Sequence, residues 1–132
     1  MFQKLCLELE EEIKSAYESS VTMEEAEKLA GKFLYAMIQV SKELQEEDLS
    51  SRMRKAGLKA VKAAVYLDSC SKSEKKPTEA QLEAFINTNE LVAGEQKRFD
   101  ESESRRDSLQ NYFNIFKEAH VHFRGISKGR FE

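Results

Sequence analysis

The chain has 132 residues, of which 24 are acidic and 21 are basic, with five glycines, one proline and no tryptophan. Its hydrophobic fraction of 40% is below the roughly 45–50% of an average globular protein. No apolar run approaches the ~20 residues of a membrane-spanning helix, and the acidic residues from Glu8 onward exclude a signal peptide. These features predict a soluble, cytoplasmic protein with one domain over residues 1–132 and a thin core.

The sequence carries few residues of the kind that catalysis or metal binding needs. It has no Gly-rich phosphate loop and no nucleophile elbow, and His120 and His122 are two residues apart, on different faces of a helix. Cys6 and Cys70 have no Cys or His at metal-ligand spacing, so we expect free thiols, Cys6 in a helix face and Cys70 in a loop. We therefore predict a non-enzymatic protein with no catalytic residue, metal or cofactor.

Helices are predicted throughout the first half of the chain, because apolar residues recur there at steps of three and four. The first helix covers residues 2–19. Thr22 and Glu25 have the spacing of a capping box, so a second helix begins there. Its apolar series fades at residues 46–48 and resumes from Leu49 to Leu67. Either a third helix begins near residue 48 or the second helix bends there.

The second half begins with a loop, predicted over residues 68–77 from the absence of periodicity and the only proline. Thr78 and Gln81 form a second capping box, which begins another helix with a brief break at residues 87–89. Residues 100–108 have no apolar side chain, so we expect that part of the helix to project beyond the core or to meet only water.

The last helix recovers its apolar stripe at Leu109, and no segment has the alternation of a strand. The predicted fold class is therefore all-α, with long antiparallel helices that form a helical hairpin or bundle. The thin core and a heptad-like seam in the acidic second helix indicate that homo-oligomerisation completes the burial.

Charge is distributed unevenly along the chain. Residues 1–50 have 12 acidic and five basic residues, residues 51–76 have two and eight, and residues 77–132 have ten and eight. The net charges of these segments are −7, +6 and −2. The total of −3 therefore conceals a basic segment in the middle of the chain.

Within the basic segment, cations follow one another at steps of three, four and three, from Arg52 through Lys55 and Lys59 to Lys62. These steps place them on one face of a helix, and no acid occurs between Ser50 and Leu67, so their own helix is not expected to neutralise them. Arg54 lies beside this row, and three lysines in the predicted loop extend it: Lys72, Lys75 and Lys76.

Such a face requires an anionic partner, and three are considered: the acidic first half of the chain, a nucleic-acid backbone or an anionic membrane. The opposite side of the helix is mainly Ala and Val, which disfavours a membrane. Internal pairing and nucleic acid both remain open. A row of Lys and Arg without a base-reading motif would bind phosphates without sequence preference.

Aromatic residues and cations alternate near the carboxyl terminus. Four aromatics fall on one helical face, which is typical of a core or of an oligomer interface: Tyr112, Phe113, Phe116 and Phe123. Phe131 and the terminal cations Arg124, Lys128 and Arg130 are freer to contact a nucleic-acid strand, since aromatics beside cations are how single-strand binders stack bases. An oligomer would multiply the basic face by avidity.

Three segments carry a resemblance to a known family. Residues 52–67 are RMRKAGLKAVKAAVYL, a basic helix that ends in bulky residues, and residues 108–113 and 126–131 are SLQNYF and ISKGRF. In their order after an acidic first helix, they resemble the UvsY family of small bacteriophage recombination mediators. The resemblance implies a ring-forming helical oligomer that binds single-stranded DNA, displaces single-strand-binding protein and helps load a recombinase, in the host cytoplasm.

The leading hypothesis is therefore a single-stranded DNA-binding recombination mediator. The alternatives are a structural or adaptor helical bundle, and a phage inhibitor of a host nucleic-acid enzyme in which the acids of residues 8–12 mimic phosphate. For the leading hypothesis, the predicted nucleic-acid-binding residues are Arg52, Arg54, Lys55, Lys59, Lys62, Lys72, Lys75, Lys76, Arg124, Lys128 and Arg130.

Overall fold

The computed structural model of the chain describes residues 2–72 and 76–129. These residues form four α-helices and no strand, which confirms the all-α class. The helices are α1 (Phe2–Glu18), α2 (Met23–Lys72), α3 (Glu79–Thr88) and α4 (Glu90–Ser127). Contacts divide the chain into two compact units, where the sequence predicted one domain. The first unit comprises residues 1–44 and 108–132, and the second unit comprises residues 45–107.

Helix α2 begins where the sequence predicts and then continues without interruption for 50 residues. The Glu25 N–H donates to Thr22 Oγ1 at 3.2 Å, so Thr22 satisfies one of the free donors of the first turn. The apolar pattern fades at residues 46–48 although no helix ends there. Glu47 and Asp48 bind side chains of α4 instead of entering an apolar core.

The predicted loop over residues 68–77 is shorter in the structure, because α2 extends to Lys72. In its last turn Ser71 Oγ donates to the Asp68 carbonyl at 2.9 Å, and Lys72 Nζ lies 3.1 Å from Asp68 Oδ2. An exposed helical turn needs no apolar periodicity, which is why the sequence pattern misplaced this boundary. Cys70, predicted in the loop, is consequently a helical residue.

Helices α3 and α4 have the boundaries that their polar residues predict. Thr78 and Gln81 form both hydrogen bonds of the capping box, at 3.2 and 3.1 Å. Helix α3 ends at Thr88, and Asn89 Oδ1 then accepts from the N–H groups of Leu91 and Val92, which begins α4. The predicted break at residues 87–89 is confirmed.

The first unit has an apolar core made by α1, α2 and α4. Phe33 of α2 stacks on Phe116 and Phe123 of α4, with ring centroids 6.1 and 5.9 Å apart. Offset aromatic contacts of this kind add to the burial of apolar area. Cys6 is buried in α1, as predicted. The remaining members of this core are Leu9, Ile13, Ala26, Ala30, Ala36, Val40 and Ala119.

The interior of the second unit contains buried serines as well as apolar residues. Ser51 of α2 and Ser102 of α4 are both buried, and the buried apolar residues in the described part of this unit are Leu58, Pro77, Leu82 and Val92. Ser102 Oγ donates to Glu47 Oε1 at 3.0 Å. Hydrogen bonds between α2 and α4 therefore add to the burial of these apolar residues in holding the unit together.

Ion pairs also join α2 to α4, and they correct one prediction. Arg105 Nε lies 3.0 Å from Glu47 Oε1, and Arg106 lies 2.7 Å from Glu103 and 3.7 Å from Asp48. The stretch over residues 100–108 was predicted to project from the core or to meet only water. One side of it packs on α2, because Ser102, Arg105 and Arg106 find polar or charged partners there.

Candidate nucleic-acid interface on helix α2

The cations predicted to share one helix face do so in the structure. Arg52, Lys55 and Lys59 are exposed on α2, and Lys62 is half-buried beside α4. Ser51 and Leu58 lie on the side of α2 that packs inward, which borders the face with these cations. We call Arg52, Lys55, Lys59 and Lys62 the basic face.

The basic face is only partly neutralised. Arg52 Nη2 lies 3.0 Å from Asp48 Oδ2, one turn earlier on α2, so the expectation that this helix cannot neutralise its own cations is wrong for Arg52. Asp48 precedes the acid-free segment, and an i,i+4 pair reaches back to it. Within the described part of the chain, no ion pair involves Lys55, Lys59 or Lys62.

Arg54 belongs to a different surface. It lies two residues, or about 200° of helix rotation, from Arg52. There it lines a shallow cleft with Glu46, Gly57 and Glu95. The structure therefore separates Arg54 from the basic face, with the packed side of α2 between them.

Tyr66 lies on the same side of α2 as the basic face and was not among the predicted binding residues. It follows Lys59 by seven residues and Lys62 by four, which are spacings of a common helix face. Its side chain is 41% exposed. The signal is present in the sequence, since the same steps that connect the cations continue to Tyr66, but it is a spacing of an aromatic residue and not of a charge.

The other predicted nucleic-acid-binding residues are dispersed. Lys72 pairs with Asp68, and Lys76 is exposed beyond the end of α2. Arg124 and Lys128 are exposed residues of the first unit. Lys75, Arg130 and Phe131 lie outside the described residues. Of the predicted cations that the structure describes, it thus brings together only those of the basic face.

The aromatic residues predicted as an oligomer interface lie against the core of their own chain. Phe116 and Phe123 have no exposed surface, and Tyr112 and Phe113 pack against the same cluster. Tyr112 stacks on Phe116 with ring centroids 5.9 Å apart. Complete burial leaves Phe116 and Phe123 no surface for another copy, so of the two roles predicted for this face, core and oligomer interface, these two residues have that of core.

Buried polar groups in the first unit serve packing. His120 Nδ1 lies 2.8 Å from the Ala30 carbonyl, which joins α4 to α2. Burial, and then the Glu43 carboxylate, raises the pKa of the Cys6 thiol. A buried thiol that stays protonated is a poor nucleophile. Cys6 therefore acts as a small apolar residue.

Ion pairs in the first unit weaken the alternative in which the acids of residues 8–12 mimic phosphate. Lys32 Nζ lies 2.6 Å from Glu12 Oε2, and Lys14 Nζ lies 3.5 Å from Glu11 Oε1. Two of the acids proposed to mimic phosphate therefore have cationic partners.

Among the residues described, no group of three or more His, Cys, Asp or Glu side chains could hold a metal ion. No helix there is both long and apolar enough to cross a membrane.

The fold and this surface define an all-α protein with a partly unpaired cationic helix face. Comparison with protein-family models, with curated proteins and with solved structures finds no match to the chain.

Proposed function

We propose that the protein is non-enzymatic and binds single-stranded nucleic acid through the basic face. The observation that carries this proposal is the row of Lys55, Lys59 and Lys62, which have no ion-pair partner within the described residues. Like charges at these helical spacings repel one another, and phosphate groups would relieve that repulsion. The row therefore supports an anionic polymer as ligand.

Tyr66 favours a single strand over a duplex. Tyr66 lies on the same helix face as the lysines and is 41% exposed, and no described ring stacks on it. Bases of a duplex are stacked on one another, whereas an unpaired base can stack on an aromatic side chain, which contributes about 1–3 kcal/mol per base. Lysines for phosphates and a tyrosine for a base are the two parts of a single-strand site.

The basic face is short, which determines the strength of binding. From Arg52 to Lys62 the helix rises about 15 Å, enough for only a few phosphates. Binding by one copy should therefore be weak and strongly dependent on salt. Without a base-reading motif, it should also be independent of sequence.

The finer role, a mediator that loads a recombinase onto single-stranded DNA coated with single-strand-binding protein, rests on the resemblance to the UvsY family. The basic helix of residues 52–67 is the segment common to that resemblance and to the proposed site. The recombinase and the single-strand-binding protein are the partners this role requires.

A titration of labelled single-stranded DNA across salt concentrations tests the proposal. The variant Lys55→Ala/Lys59→Ala/Lys62→Ala should lower the slope of log affinity against log salt by about 2, because each lost phosphate contact removes ~0.7. The matched control is Lys4→Ala/Lys28→Ala/Lys42→Ala, which removes the same charge from exposed helical positions of the first unit.

Two results would contradict the proposal. One is the absence of binding at low salt by the unaltered protein. The other is an equal loss of slope in the two triple variants, which would show a response to net charge alone.

A further inference from the structure

The outward side of α2 in the second unit carries an apolar stripe. Its residues are separated by steps of four, three, four, three and four, the spacing of the d and a positions of a heptad repeat. The three largest are well exposed: Leu49 at 60%, Met53 at 67% and Leu67 at 67%. The alanines between them are exposed as well. The apolar stripe consists of Leu49, Met53, Ala56, Ala60, Ala63 and Leu67.

The stripe faces away from the interior of its own unit. Ser51 and Leu58, which are buried, occupy the f positions of the same heptads, directly opposite the stripe. This part of α2 thus turns a serine and a leucine inward and leaves two leucines, a methionine and three alanines exposed. A helix normally buries its apolar side, yet most of this stripe is exposed; in the described chain, Glu95 of α4 lines a cleft with Leu49 and Met53.

We propose that the apolar stripe pairs with the same stripe of a second copy of this chain, in a parallel and in-register coiled coil. The seam is about 27 Å long, at 1.5 Å per residue over residues 49–67. Its three consecutive alanines at d and a positions allow two helices to approach closely, while Leu49, Met53 and Leu67 supply the larger contacts at its ends.

The residues that flank the stripe determine the direction of pairing. One flank, the g positions, has Arg52, Lys59 and Tyr66, and the other, the e positions, has small uncharged residues: Ser50, Gly57 and Ala64. In a parallel pair each g residue faces an e residue of the other copy, so cations meet small neutral side chains. In an antiparallel pair g faces g, and the cations would repel one another.

The flanks also favour a second copy over an acidic helix from another protein. An acidic partner is selected by cations on both flanks of a seam, and here the e flank has none. Self-pairing needs no such charges, and it leaves Lys55 and Lys62, at c positions, free on each copy. The inference depends on the stripe alone and not on nucleic-acid binding.

Sedimentation of the full chain from micromolar to submillimolar concentration tests the proposal. The unaltered protein should associate reversibly, and Ala60→Lys should weaken association by at least about tenfold, because it places a charge in the seam. Since Ala60 is exposed, this variant should fold normally, which circular dichroism checks. The control Ala84→Lys adds the same charge at an exposed position of α3 and should associate as the unaltered protein does.

Disulfide cross-linking tests the direction of pairing. In a Cys70→Ser background, Ala63→Cys should form a disulfide between copies under mild oxidation, since equivalent d positions face each other only in a parallel, in-register pair. Ala84→Cys in the same background should not. A monomer at every concentration would overturn the proposal. Equal association of Ala60→Lys and the unaltered protein, or no cross-link through Ala63→Cys, would overturn it as well.

Discussion

The two units of the molecule use the same long helices in opposite ways. In the first unit α2 turns Phe33 inward, onto Phe116 and Phe123 of α4, and this core is apolar. In the second unit α2 turns Ser51 inward and leaves Met53 and Leu67 exposed. Apolar periodicity alone therefore does not show which side of a helix is buried, because it gives a stripe and not its partner.

The difference has a functional meaning. The first unit buries an aromatic core within one chain, although Leu34, Tyr35 and Ile38 of α2 are exposed there. The second unit joins α2 to α4 through Glu47, Ser102 and Arg105, and it displays both the apolar stripe and the basic face. A surface with two unsatisfied kinds of residue side by side is suited to binding. We therefore propose the second unit as the site of interaction.

The largest effect is expected in the core of the first unit. Phe33→Ala removes a fully buried ring that contacts two others, so the free energy of unfolding should fall by about 3–5 kcal/mol. Urea denaturation followed by circular dichroism measures this. Phe85→Ala, at a half-exposed position of α3, is the control and should cost well under half as much. Equal losses would contradict an apolar core centred on Phe33.

Two substitutions in α2 test which side of this helix is buried in the second unit. Leu58→Ala should lower the free energy of unfolding by about 2–4 kcal/mol, because Leu58 is buried. Met53→Ala, on the opposite side, should change it by less than about 0.5 kcal/mol in dilute protein, where no second copy covers the stripe. If Met53→Ala proved the more damaging of the two, the stripe would belong to the interior.

The next effect on stability concerns the bonds that Glu47 makes between α2 and α4 in the second unit. Glu47→Ala removes the acceptor of buried Ser102 Oγ and the partner of Arg105, so unfolding should become easier by about 1–3 kcal/mol. Glu46→Ala, at an exposed neighbouring position of α2, should be nearly neutral. Chemical denaturation of both variants provides the comparison. Equal free energies of unfolding for the two variants would contradict a stabilising role for the bonds of Glu47.

Tyr66 gives a comparable effect on binding. Tyr66→Leu should weaken binding of single-stranded DNA by about 1–3 kcal/mol, while an abasic strand should bind equally well to both proteins, since it has no base to stack. Fluorescence anisotropy measures the four affinities. If Tyr66→Leu weakened binding of the abasic strand by the same factor, the ring would act through the helix and not through a base.

The smallest test concerns the two free thiols, one in each unit. Cys6 is buried with a raised pKa, whereas Cys70 is partly exposed. A thiol reagent should therefore label Cys70 rapidly in the folded protein and Cys6 only after unfolding. Mass spectrometry of the labelled peptides identifies the sites. Rapid labelling of Cys6 in the folded protein would contradict the packing of α1.

Much of the fold follows from local signals in the sequence. Thr22, Thr78 and Asn89 mark where helices begin, because their side chains bond to free backbone donors close by in the chain. The end of α2 does not follow in this way, since its last turns are polar and exposed. The partner of residues 100–108 does not follow either, because the bond from Ser102 to Glu47 joins residues 55 positions apart.

The candidate site was only partly predictable for the same reason. The steps from Arg52 to Lys62 place the basic face on a helix, and they would have included Tyr66 had aromatics been followed with charges. The separation of Arg54 depends on which side of α2 is packed, as does the burial of Phe116. The sequence periodicity contains no information on that choice.

Oxidation of exposed methionines compares the two units most directly, because each has one well-exposed methionine on α2: Met23 in the first unit and Met53 in the second. Mass spectrometry would follow their oxidation by peroxide as the concentration of the unaltered protein rises. We expect both to oxidise readily in dilute protein, and Met53 alone to become protected as the apolar stripe is covered. Equal oxidation of Met23 and Met53 at every concentration would contradict the account.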